Sequence, residues 1–275
     1  MNKFKVCATT ANLGIGFDSI GLALDLYNEF EVELSDTFIT LDDNDVQLNN
    51  DNLFEVAYKK ASQYKNTNEA CKCKIHTGIP RSGGLGTSAT VIVAGIYAYS
   101  LLHNNCLNKE EILKLATEIE GHPDNVAPAI YGNMCIIKDD TLLNLKVDDQ
   151  YYFGLWIQDA RVSTEEARKI LPNSYSRNDV VNNVASALIG VNALTNYNEE
   201  NIKLLMNDKI HEPYRSTLIP HFNEMKEYAL NNGALCFLIS GSGSTCLSIS
   251  NKPLNINFKD IKYIEVKVNK EGIID

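Results

Sequence analysis

The chain has 275 residues, 44% of them hydrophobic, enough for one large or two modest domains with a real core. Its formal net charge of −10 argues against nucleic acid or an anionic membrane as partner, but leaves room for a nucleotide, which needs only a local positive field. Seven cysteines, an odd number, exclude a complete disulfide set; with no zinc-like spacing they read as buried thiols of a reducing compartment.

The N-terminus, Met1 to Lys5, runs straight into strand-like sequence with no apolar signal region, and no apolar run reaches transmembrane length. The expectation is a soluble, cytoplasmic protein. Residues 4–8 read as a short strand, and Phe30, Val32 and Leu34 alternate with acids as in a half-buried strand. Asp36 to Asn52 is polar and predicts loop with one short strand. Leu53, Val56, Ala57 and Lys60 space a helix over Leu53 to Tyr64, and Cys71, Cys73 and Ile75 form one face of a strand ending near Thr77. Thr87 to Leu102 is apolar nearly all round, which predicts a buried helix. Asn108 with Glu111 resembles a capping box opening a helix that Glu120 ends and Gly121 stops.

Asn133 to Lys138 predicts a strand, and the polar stretch to Gln150 a separator between residues 1–148 and 149–275. Beyond it come a strand over Tyr151 to Ile157 and a long amphipathic helix marked by Val180, Val181, Val184, Leu188, Val191 and Leu194. A helix from His221 to Asn231 follows, then strands over Ala234 to Ile239, Thr245 to Ile249 and Ile261 to Val268. The mixed order, without a repeating βαβ unit, predicts an α+β fold in two halves.

Three glycine-containing segments carry the chemistry. Thr77 to Thr90 reads as a strand end, a glycine-rich loop and the first turn of a helix, which is a ready anion site: early helical amides lack partners and the dipole is positive there. No Lys follows its glycines, so it is not a Walker loop. Ala8 to Gly21 places two glycines and Asp18 in an irregular turn, and Ser240-Gly241-Ser242-Gly243-Ser244-Thr245 joins two apolar strands. Each also fits a plain structural role by itself: Asp18 or Ser88 as a helix cap, Glu120 as a solvated helix end, the last segment as a tight hairpin.

Together, in this order and over nearly the whole chain, the three segments resemble the signature of the GHMP kinase superfamily (galactokinase, homoserine kinase, mevalonate kinase, phosphomevalonate kinase). Ala8 to Gly21 and the run Glu120-Gly121-His122-Pro123-Asp124-Asn125-Val126-Ala127-Pro128-Ala129 resemble its homoserine-phosphorylating branch, as do Ser163 to Pro172 and His211-Glu212-Pro213-Tyr214-Arg215. The chain departs from the family pattern at Cys7, Ile15, Thr87 and Ser244, none of which removes an obvious ligand.

The resemblance implies an N-terminal ATP-binding half like ribosomal protein S5 domain 2 and a ferredoxin-like C-terminal half. It implies ATP-dependent phosphorylation of the L-homoserine hydroxyl to O-phospho-L-homoserine, on the route to threonine, and a homodimer at family level. The phosphates fall to Pro80, Arg81, Ser82, Gly83, Gly84, Leu85, Gly86, Thr87, Ser88, Ala89 and Thr90, Mg2+ to Ser88 and Glu120, and the adenine edge to Asn52. Arg168 and Arg215 suit the substrate carboxylate, because a guanidinium grips it with two parallel hydrogen bonds. Asn12 and Asp18 suit its ammonium. His122 and Asn125 line the hydroxyl end, and Thr164, opening a helix behind a Ser163–Glu166 capping box, faces the γ-phosphate. Sister sugar and mevalonate kinases place an Asp base where Asn125 stands, so transfer without a strong protein base is expected here, with Asp124 a supporting acceptor.

Overall fold

A computed structural model of the chain describes residues 1–80, 83–160 and 162–274. Strands β1 (Asn2–Ala11) and β2 (Ile20–Ser35) set the frame as an antiparallel pair, from Asn2 opposite Val32 to Ala11 opposite Gly21. The turn between them is therefore held at the end of a long ladder, and it carries Asn12 and Asp18. Strand β2, with 16 residues, is long enough to take two further partners: β4 (Ala70–His76) along its last residues and β5 (Met134–Lys138) along its first. The short β3 (Ile39–Leu41) pairs with β4 in parallel, and β6 (Thr141–Leu145) closes a hairpin with β5.

Helices α1 (Leu53–Tyr64), α2 (Thr87–Leu102), α3 (Lys109–Glu120) and α4 (Val126–Tyr131) pack on this sheet, enclosing a core that includes Phe4, Phe30, Val32, Phe54, Tyr58 and Tyr99. A second sheet, ordered β10 (Lys262–Val266), β7 (Tyr152–Ile157), β9 (Cys246–Ser250), β8 (Cys236–Ile239), is antiparallel throughout. Its period-two alternation sorts side chains between two cores. Phe153, Leu155, Leu238 and Leu247 face a core shared with Leu13, Leu22 and Leu85 of the first half, while Trp156, Phe237 and Cys246 face α8 (Phe222–Asn231). The chain's end returns to the first sheet, where Lys5 and Ile274 exchange backbone hydrogen bonds. The fold is α+β, with both sheets committed to one continuous structure.

Most expected elements appear where the periodicity puts them: α1 and α2 span the predicted residues, and α3 starts on a real capping box at Asn108 and stops at Gly121. The cysteines are all free thiols, six of them buried, with Cys71 and Cys73 in the first core. No described helix is long and apolar enough to cross a membrane.

Three expectations need correction. Helix α1 buries Phe54, Ala57, Tyr58 and Ala61 and leaves Leu53 exposed, because Phe54 and Tyr58 reach the aromatic rings of Phe30 and Tyr99 and bury more apolar surface. The polar stretch before Gln150 contains β6, turned back by Asp139 and Asp140. The largest difference is α6 (Arg177–Asn196), which buries Ser186, Gly190, Ala193 and Leu194 while Val181 and Leu188 remain 61% and 71% exposed. Small residues at Ser186, Gly190 and Ala193 let that face close on its neighbour: a methyl on Gly190 would lie 2.6 Å from the Leu205 side chain. Close approach decided the first part of the buried face over the larger valines, while Leu194 is buried and Val191 packs on the same core as the stripe predicts.

Candidate active site

The glycine-rich loop enters α2 through Gly86, which sits at φ +64 and has no side chain to spend on the first helical amides. A Cβ there would overlap Thr9 Oγ1, and one on Gly84, at φ +93, would overlap the Ser240 carbonyl. Glycine is required at both, at Gly84 because backbone meets backbone and at Gly86 because the Thr9 side chain fills the space a Cβ would need. Thr9 N donates to Leu85 O at 3.2 Å and Thr245 N to Gly83 O at 3.2 Å. Gly241 N donates to Ala11 O at 3.2 Å, and the Ser240 hydroxyl lies 2.5 Å from Gly84 O.

These contacts frame a cavity of about 290 Å³, lined by Asn12, Asp18, Gly83, Gly84, Gly86, Thr87, Ser88, Glu120, His122, Asn125, Thr164, Arg168 and Arg215 among others. Arg81 and Ser82 lie outside the described residues. Pro80, Leu85, Ala89 and Thr90 do not line the cavity: Leu85 and Ala89 are buried, and the Thr90 hydroxyl donates to backbone oxygens of Cys7 and Gly86. Asn52 is also elsewhere, with both ends of its amide committed. Its Oδ1 caps α1 through Glu55 N at 3.1 Å, and its Nδ2 donates to Asn49 O at 3.0 Å.

At the loop end, the Ser88 hydroxyl donates to Glu120 Oε2 at 2.8 Å. Burial pushes the Glu120 carboxyl up, with the Ser88 hydrogen bond opposing. Thr87 Oγ1, beside it, is buried with no hydrogen-bond partner among the described residues. An orphaned hydroxyl on the first turn of a helix fits a ligand's oxygen in the cavity.

In the middle, α3 ends at Glu120 and the chain turns through His122 to α4. Asp124 accepts from Asn125 N at 3.0 Å and pairs with His122 Nδ1 at 3.1 Å. That hydrogen bond raises the His122 pKa. Thr9 donates to Asn125 Oδ1 at 2.9 Å, which leaves the Asn125 amide nitrogen as the end unengaged among the described residues.

At the far end, α5 (Thr164–Lys169) opens on the Ser163–Glu166 capping box and projects Arg168 inward, where its two terminal nitrogens bind the two Asp18 oxygens at 2.8 and 2.9 Å. Arg168 and Asp18, suited to opposite charges of one ligand, thus meet each other directly. Arg215, on α7 (Glu212–Arg215), is 2% exposed; Nε donates to Ala167 O at 3.0 Å and Nη1 to Gly241 O at 3.2 Å. Asn12 bridges the same region, donating to Gly241 O and accepting from Asp18 N. Residue-by-residue reading missed Thr9, Thr10, Ser240 and Phe17, which hold these groups from outside the cavity. Their only sequence signal is that they lie within the glycine segments.

The neighbour of this cluster offers a test of burial. Glu212 is buried, Oε1 accepts from Ile239 N at 2.5 Å, and desolvation pushes its carboxyl from the ordinary 4.5 up to about 8. The folded state thus keeps a proton that the unfolded chain has lost. Its stabilising effect is complete below about pH 4.5 and falls as pH rises toward 8. Glu212→Gln keeps the acceptor and cannot ionise, so its stability relative to the parent's should rise by a margin that widens between about pH 5 and 8, reaching a few kcal/mol. Thermal melts across that range with a constant margin would reject the shift.

An anion cradle beside paired oxygens, facing a carboxylate-and-guanidinium cluster across one cavity, defines a small-molecule phosphotransferase. Residues 52–133 match the family model for the GHMP kinases N terminal domain, and residues 192–258 that for the GHMP kinases C terminal. A homoserine kinase of Clostridium acetobutylicum is 40% identical over 90% of this chain and 87% of its own, and one of Clostridium novyi is 38% identical over 93% and 88%. The crystal structure of homoserine kinase from Cytophaga hutchinsonii superposes with a TM-score of 0.87 at 28% identity, covering 98% of this chain and 96% of that one. A mevalonate kinase at 18% identity and TM-score 0.75 shares the fold. The chain belongs to the homoserine kinase family of GHMP kinases.

Proposed function

We propose that the protein transfers the γ-phosphoryl group of ATP to the hydroxyl of L-homoserine, giving O-phospho-L-homoserine for threonine biosynthesis. The supporting observation is that the Gly83–Ser88 cradle and the Asp18–Arg168–Arg215 cluster line one cavity. The α2 amides and Thr87 hold the triphosphate. Arg215 and Arg168 take the amino-acid carboxylate and Asp18 its ammonium, the two charges of the substrate exchanging for the Arg168–Asp18 pair. His122 and Asn125 meet the hydroxyl end, and Thr164, at the opening of α5, faces the γ-phosphate. Phosphoryl transfer gains most from alignment and charge stabilisation, which these residues can supply. Asn125 cannot act as a base and Asp124 is engaged with His122. The hydroxyl proton therefore leaves without a strong protein base.

The described residues contain no cluster of three or more His, Cys, Asp or Glu for a metal, but Mg2+ commonly takes only one or two protein oxygens beside phosphate and water. The Ser88–Glu120 pair fits that role. Bound there, Mg2+ would neutralise phosphate charge. Glu120→Gln should raise the Mg2+ concentration giving half-maximal rate about tenfold or more, while the KM for homoserine stays within about twofold. An unchanged Mg2+ dependence would remove Glu120 from the site.

Coupled ADP release with homoserine, threonine, mevalonate and galactose tests the whole reading: homoserine should be the preferred acceptor, and no rate with it rejects the proposal. A cytoplasmic homodimer belongs to the same proposal. The exposed Val180, Val181, Val184 and Leu188 stripe on α6 supports a subunit interface, which light scattering of the purified chain would detect.

A further inference from the structure

The turn that supplies Asp18 also presents the ring of the preceding residue to the same cations. The Arg215 guanidinium carbon lies 4.9 Å from the Phe17 ring centroid and that of Arg168 lies 5.8 Å away. Both are within the range in which the negative face of an aromatic ring attracts a cation. The ring is itself stacked on His211, at 5.4 Å between centroids and 26° between planes. His211 is fully buried and its Nε2 lies 2.7 Å from Gly14 O, in the same segment as Phe17. Burial lowers its pKa, so the supporting ring adds no third positive charge.

Two guanidinium groups sharing one partly desolvated site repel each other. Asp18 offsets this for Arg168 from one side. Among the described residues Arg215 has no carboxylate hydrogen-bond partner; it donates to two backbone carbonyls, feels Asp18 and Asp124 only through space, and has the Phe17 ring as its direct side-chain contact.

We propose that Phe17 is a positioning residue that holds the Arg215 and Arg168 guanidinium groups side by side, so that both act on a single substrate carboxylate. The inference rests on the homoserine-phosphorylating reading and adds what fixes the geometry of its amino-acid end.

The test compares Phe17→Leu and Phe17→Tyr with wild type, using homoserine and the amino diol in which its carboxylate is reduced to an alcohol. Phe17→Leu should raise the KM for homoserine about tenfold, the sum of two weakened cation–ring contacts. The kcat and the KM for ATP should stay within about twofold. Phe17→Tyr should behave like wild type. The diol, lacking the carboxylate, should be turned over equally well by all three. If Phe17→Leu does not fold, pentafluorophenylalanine incorporated in place of Phe17 keeps the shape and reverses the ring's electrostatics; it should give the same rise in KM. Wild-type kinetics in the leucine or fluorinated protein, or an equal penalty on the diol, would overturn the proposal. Failure of the wild type itself to phosphorylate homoserine would instead reject the underlying functional reading.

Discussion

Arg215→Ala should lower kcat/KM for homoserine by about 2–4 kcal/mol, roughly thirty- to a thousandfold. The magnitude follows from burial. The side chain is 2% exposed, so its charge acts with little screening by water, and alanine would leave the Ala167 and Gly241 carbonyls without the guanidinium they now bind. The substrate carboxylate lies at the opposite end of the molecule from the reacting hydroxyl. Its contact is made in both ground and transition states, so the loss should fall chiefly on KM. Arg215→Lys keeps a cation but not the planar fork and should fall between the two. The KM for ATP reports on the other end of the cavity and should move little. Steady-state kinetics on the three proteins settle the matter, and a kcat/KM unchanged in the alanine variant would place Arg215 outside the site.

That Arg215 belongs beside Arg168 is legible in the sequence only because both sit in runs resembling one family. Nothing in the spacing of residues 168 and 215 brings them together. The regular elements were legible for a simpler reason: α2 is apolar on every side and α3 carries both its start and stop signals. Burial faces were less so. Helix α6 presents a run of valines that reads as a core stripe; only its end, Val191 and Leu194, packs on the core, and the rest of the buried face is Ser186, Gly190 and Ala193, where backbone approach outweighed side-chain size.

The site shows the same division. Polar residues of the glycine segments read as ligands, yet several are spent on one another. Asn12 joins Gly241 to Asp18, Thr9 orients Asn125, and the Thr10 and Ser240 hydroxyls lie 2.8 Å apart. Asn52, next to an apolar helix, is an N-cap by the ordinary rule, which its ligand role, taken from resemblance alone, leaves out of account. A single sequence shows which side chains can donate or accept; which donors find protein partners is set by long-range contacts, here across more than 100 residues between Thr9 and Asn125.

That long-range contact makes Gly86→Ala the second large effect expected. At φ +64 an alanine is strained by about 1–2 kcal/mol whatever its surroundings. Its methyl would also overlap Thr9 Oγ1 and sit 3.1 Å from Asn125 Oδ1. Overpacking of this kind costs about 1–3 kcal/mol more. The strain is relieved most directly by turning Thr9 away, which frees the Asn125 amide it now orients. Stability should therefore fall by about 2–5 kcal/mol, and kcat should fall with it even where the protein remains folded. Thr9→Ala in the same chain removes the hydroxyl but not the unfavourable φ. The double variant should recover about 1 kcal/mol or more relative to the sum of the singles, with kcat still low because Asn125 has lost its partner. Denaturant melts and kcat on the four proteins of this cycle give the answer. Simple additivity of the two substitutions would mean that the Thr9 hydroxyl does not bear the clash.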